Sequence, residues 1–277
     1  MIDNKNEYEN LQKDMYNYLS PIMCELVNKY NIDPENLINI APSIIFASDD
    51  KFDEVLKNIV PDIEYTNEEE CKCVGKFIHK NGKYYLVIKS YFINDLIKSN
   101  YKDIIAKYTI CHELGHWINH LIKPELCPKE KPKHPDSGIK ISEYLYTISI
   151  DEYRANNHIV FLFSSDECKE IIKNDYLYKD IENIYININD SNDLFTRIWN
   201  SPNSIFKNLI GHIPLYIKCG GYIDDDVLDI ININGIISGL EKENPDYEGL
   251  YKHLIYVFNL IVKDYNSDKP EIIQNYL

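Results

Sequence analysis

A chain of 277 residues can bury a sizeable core as one large domain or two modest ones, and its 44% apolar and 26% charged residues suit a globular protein. Its 44 acidic residues against 29 basic give a net charge of -15, which repels phosphate and makes nucleic acid and anionic membranes poor partners. The polar, acidic start and the lack of any run near the length of a membrane span predict a cytoplasmic protein with no signal peptide.

Residues 4 to 31 read as a helix interrupted or kinked at Pro21, closed by NIDPEN. INIAPSIIFASDD is compatible with a short buried strand or the start of another helix, and DEVLKNIV looks helical. Next, CKCVGKFIHKNGKYYLVIKSYF holds two β-rich runs around Asn81-Gly82, a dipeptide that favours a tight hairpin turn. The stretch NDLIKSNYKDIIAKYTICHELGHWINHLIK predicts a helical region ending before Pro124. Pro124, Pro128, Pro132 and Pro135 space out an irregular loop, after which SEYLYTISIDEYRANNHIVFLF resumes helical or mixed periodicity. From about Ser165 the chain is mostly helical runs broken by Pro and Gly, and PDYEGLYKHLIYVFNLIVKDY closes it as an amphipathic helix.

Seven cysteines, at 24, 71, 73, 111, 127, 168 and 219, are odd in number and irregular in spacing. A chain this long needs no disulfide framework, so they predict structural thiols in a reducing compartment. Cys71 and Cys73 form a C-x-C pair with no matching second pair. The acidic runs at 68–70 and 224–226 lack the alternating ligands and glycine of a calcium loop and read as solvated turns or helix starts.

The chemistry concentrates in KYTICHELGHWINH, residues 107–120, where His112, Glu113 and His116 spell H-E-x-x-H. On a helix, side chains four apart lie one above the other, so both imidazoles can reach one ion while Glu113 leans beside it as a general base. Thr109, His112, Glu113, His116 and His120 share one face, and Ile110, Cys111, Leu114, Trp117, Ile118 and Leu121 cover the other. A catalytic zinc wants three protein ligands and an open position. His120 lies two turns from His112, about 12 Å along the axis, and fits a cleft wall better than a ligand. The third ligand must come from another segment, and Glu152 in IDEYRANNH is the best offer. Asn156, four residues on, or Asp151 can orient a ligating histidine. Tyr153, His158 and His212 are candidate donors to an oxyanion, and a sheet edge such as GKYYLVIKS can take a substrate strand.

YTICHELGHWINH followed by EYRANNHIVFLF, with GKYYLVIK before them, resembles the ImmA/IrrE family of gluzincin-type metallopeptidases over roughly residues 70–165. The resemblance implies His112, His116 and Glu152 as zinc ligands and Glu113 as the catalytic base. It also implies limited proteolysis of a protein partner, such as a regulator or repressor. The expected architecture is α+β: a zincin-like metallopeptidase domain over residues 1–165, with a small sheet and the H-E-x-x-H helix, and a helical region over 166–277. The alternative is a regulatory or sensor protein that keeps this fold and binds a partner without cutting it.

Overall fold

The computed structural model describes residues 5–33, 35, 37–61, 63, 74–127 and 138–173, together with 211, 212, 214, 215 and 217–219. The C-x-C pair, both acidic runs, most of the Pro-rich loop and the final amphipathic run lie outside the described residues. The chain divides into two compact units, residues 1–124 and 125–277. The described elements form an α+β protein with one three-stranded sheet and seven α-helices.

The first unit opens with α1, Lys5–Lys29, which runs through Pro21 as one helix. Leu11, Met15, Leu19, Met23 and Leu26 recur at steps of three and four, and all are buried. That stripe holds the helix together across the hydrogen bond that Pro21 cannot donate, and Pro21 itself faces outward. After the single turn of α2, Leu37–Ile40, comes β1, Ser43–Ala47, so the ambiguous apolar segment resolves as a strand. The helix α3, Phe52–Ile59, leads on to β2, Gly75–Lys80, and β3, Lys83–Lys89. Between these two strands Asn81 and Gly82 take φ of 51° and 71°, the paired left-handed conformation that a two-residue hairpin turn demands.

The sheet order is β1-β3-β2, with β1 parallel and β2 antiparallel to β3. This corrects one expectation: GKYYLVIKS is the central strand, paired on both sides, and cannot take a further strand. One face of the sheet carries Ala47, Ile78 and Val87 and packs on Phe52 and Leu56 of α3. At its end Lys89 is buried, its ammonium 2.8 Å from the Asp49 carboxylate and 5.2 Å from the centroid of the Phe52 ring. The opposite face, with Phe77, Leu86 and Ile88, lies toward the helices α4, Ser90–Lys98, and α5, Ile104–Ile122.

A second correction falls between those helices, because the predicted single helical region breaks at residues 99–103. Asn100 and Tyr101 adopt φ of 53° and 61°, and the Tyr101 amide donates back to the Leu96 carbonyl at 2.9 Å. This is the left-handed way of ending a helix, built here without glycine. The Tyr101 ring stacks on Tyr18 of α1, with centroids 4.5 Å apart, and that contact offsets the local strain. The chain then restarts at Asp103, whose carboxylate accepts the Ala106 amide at 3.0 Å and caps α5.

In the second unit α6 spans Gly138–Ile159 and α7 spans Ser165–Lys173. Ser164 and Glu167 close the start of α7 reciprocally: the Ser164 hydroxyl accepts the Glu167 amide, and the Glu167 carboxylate accepts the Ser164 amide at 2.7 Å. Ala155, Ile159, Phe163, Cys168 and Leu215 are buried here. No described helix is long and apolar enough to cross a membrane.

Candidate metal centre

The helix α5 carries the H-E-x-x-H motif, and its two sides divide as the spacing predicts. Ile110, Cys111, Leu114, Trp117 and Ile118 are buried, whereas His112, Glu113 and His116 are half-exposed. Trp117 anchors the buried side, its indole N–H donating to the Ile40 carbonyl at 2.9 Å, so a large apolar ring goes inside with its polar atom satisfied. Cys111 lies against the same core, and desolvation pushes its thiol up to about 12. Burial likewise raises Cys127 to about 12 and Cys168 to about 11, so these sulfurs stay protonated near neutrality and are poor nucleophiles.

On the polar side the His112 and His116 rings stand nearly perpendicular, with centroids 4.7 Å apart and Nε2 atoms 3.1 Å apart. Two imidazoles on a tetrahedral zinc, each about 2.0–2.1 Å from the metal, place their nitrogens about 3.3 Å apart. The observed spacing is close to that, and it also suits an N–H···N hydrogen bond between the rings. Each of His112, His116 and Glu152 offers one ligand atom, and these atoms lie within 4.8 Å of one another, a group that can hold a metal ion. Among the described residues, two imidazole nitrogens and one carboxylate oxygen make a donor set suited to zinc.

Glu113 has a partner that the sequence did not suggest. Its Oε2 accepts the main-chain N–H of Phe77 on β2 at 2.7 Å. A Cβ on Gly75 would stand 3.6 Å from the Glu113 Cγ, so the side chain lies across the start of that strand. His120 sits farther along the helix, packed on Phe77 and His79 with ring centroids 5.3 and 5.0 Å away. Tyr84 stacks on His79 from β3, with centroids 4.8 Å apart. His120 thus belongs to an aromatic wall on the sheet.

Around Glu152 on α6 a further unforeseen residue appears. A Cβ built on Gly211 would meet the Glu152 Cβ at 3.1 Å, tighter than ordinary contact, so only glycine fits without displacement. The buried Asn156 amide donates to the Gly211 carbonyl at 2.7 Å and fixes that approach. The described bond of Asn156 is therefore to the main chain of residue 211. Asp151 and His158, also considered from the sequence, are buried on α6. Gly211 is 59 residues from Glu152 in the chain, and no local pattern links them.

No family model, curated protein or solved structure matches this chain.

Proposed function

We propose that this protein is a zinc-dependent metallopeptidase with a zincin-like domain, cutting an extended segment of a protein partner. One observation carries the reading: His112, His116 and Glu152 offer three ligand atoms within 4.8 Å of one another, with Glu113 next to the first in the chain. The resemblance of the α5 and α6 segments to the ImmA/IrrE family supports it and suggests a regulator or repressor as the partner.

His112 and His116 would hold the ion through their imidazole nitrogens, and Glu152 would add a negative charge that offsets part of the ion's own. A zinc ion held there supplies a Lewis acid that acidifies water and polarises a carbonyl. Glu113 accepts the proton of the attacking water and passes it to the departing amine. The outer side of β2 offers main-chain groups that hold the substrate as an added strand, with Phe77 at its centre.

The deciding experiment replaces Glu113 by Gln in protein whose zinc content has been measured. Hydrolysis of the partner protein should vanish at one zinc per chain, and chelation of the wild type should abolish it reversibly. Cleavage that persists in the Gln variant at wild-type rate refutes the assignment. A second reading is favoured by the 2.7 Å bond from Phe77 to Glu113, a structural use for that carboxylate. On that reading the protein is a zinc-binding regulatory module, and partner binding without cleavage by the zinc-loaded wild type would identify it.

A further inference from the structure

The Lys89 amide donates to the Val74 carbonyl at 2.9 Å, which sets the alternation along the antiparallel ladder. Val74, Lys76, Ile78 and Lys80 direct their main-chain groups at β3, and Gly75, Phe77 and His79 direct theirs to the outer side of β2. No described strand pairs on that side. A strand added there must take the Phe77 N–H, the central outward donor. That N–H is already given to Glu113 at 2.7 Å. One amide proton cannot serve two acceptors at full strength, so strand addition and the Glu113 contact exclude one another.

We infer that Phe77 is a positioning residue whose main-chain amide is handed from Glu113 to the substrate. Before binding, the carboxylate lies across β2, where the bare Gly75 leaves room for its Cγ, and it closes the edge to indiscriminate pairing. An incoming strand takes the Phe77 amide with a carbonyl oxygen, and the displaced Glu113 carboxylate is then available to accept a proton. The base is released by the same event that places the scissile segment. This inference rests on the peptidase reading for its second half, and on the Phe77–Glu113 bond alone for its first.

Two measurements test it on zinc-loaded, full-length protein. In a sample labelled with ¹⁵N at phenylalanine, the Phe77 amide should be protected from hydrogen exchange in the wild type and exchange at least about tenfold faster in Glu113→Ala. Fluorescein-labelled casein, an unstructured chain that no Glu113 variant should cleave, then reports strand binding by anisotropy. Glu113→Ala should bind it about 3- to 10-fold more tightly than Glu113→Gln, whose carboxamide oxygen still accepts from Phe77. Adding Phe77→Pro, which deletes the N–H at an outward-facing edge position where proline is tolerated, should erase that gain; adding Phe77→Ala should keep it. Equal exchange in wild type and Glu113→Ala, or equal or absent casein binding in the two Glu113 variants, overturns the inference. Failure of the peptidase reading would show separately, as partner cleavage by Glu113→Gln at the wild-type rate while the exchange difference persists.

Discussion

At β1 the outward main-chain groups of Ile44 are met by two side chains of α1. The Gln12 amide donates to the Ile44 carbonyl at 3.2 Å, and the Tyr16 hydroxyl accepts the Ile44 N–H at 3.3 Å. At β2 the corresponding outward N–H, on Phe77, is met by Glu113, which stands next to His112 in the H-E-x-x-H motif. Both edges are shielded from chance pairing, as exposed strands must be. The difference lies in what shields them. Gln12 and Tyr16 are neutral groups on a helix packed by a stripe of buried side chains, and they meet both main-chain groups of Ile44. Glu113 is a half-exposed carboxylate beside a candidate metal ligand, so on the proposed reading its edge is closed by a group that can leave.

Substitutions on the two sides should separate these roles. Glu113→Gln should lower hydrolysis by about 100- to 10,000-fold, the usual weight of a general base, with zinc content and unfolding midpoint nearly unchanged. On the same edge, Gly75→Val sets a branched side chain against the Glu113 Cγ; a loss of about tenfold in kcat, with bound zinc retained, would follow from moving the carboxylate. The α1 side behaves oppositely. The double variant Gln12→Ala/Tyr16→Phe removes both partners of Ile44 and should cost about 2 kcal/mol in urea unfolding. On the peptidase reading its turnover below the transition should match the wild type, and a large loss there would erase the distinction between the edges.

The smallest effect concerns pH and the buried side of α5. Cys111 has its thiol raised from the ordinary 9.0 to about 12 by burial, so the folded protein resists ionising it while the unfolded chain does not. The stability this lends is fully present below about pH 9 and is lost as pH rises toward 12. Cys111→Ala should flatten the alkaline fall in unfolding midpoint, and iodoacetamide at pH 8 should modify the half-exposed Cys24 well before Cys111.

How legible each part was follows from the range of the interactions that set it. The hairpin could be read from Asn81-Gly82, because the turn is decided by two residues that must both take positive φ. The two faces of α5 could be read from one helical repeat. The break between α4 and α5 could not: Ser99 to Asp103 hold no Gly or Pro, and Tyr101 keeps its left-handed backbone beside a ring on α1 more than eighty residues earlier. The strand GKYYLVIKS looked like a possible edge because its composition reports burial on its faces, whereas its rank in the sheet depends on where β1 pairs.

The sequence by itself determined that two imidazoles and a carboxylate share a helix face, since the 3.6-residue repeat needs nothing outside the helix. It also nominated Glu152 by chemistry and by resemblance. Only the tertiary structure decided that β3 is central, that Glu113 rests on the Phe77 amide, and that Gly211 is the residue against Glu152. Those contacts join segments from 36 to 59 residues apart, and their existence depends on how whole elements pack. A local pattern carries periodicity and capping, but it holds no record of which distant backbone will stand in the remaining space.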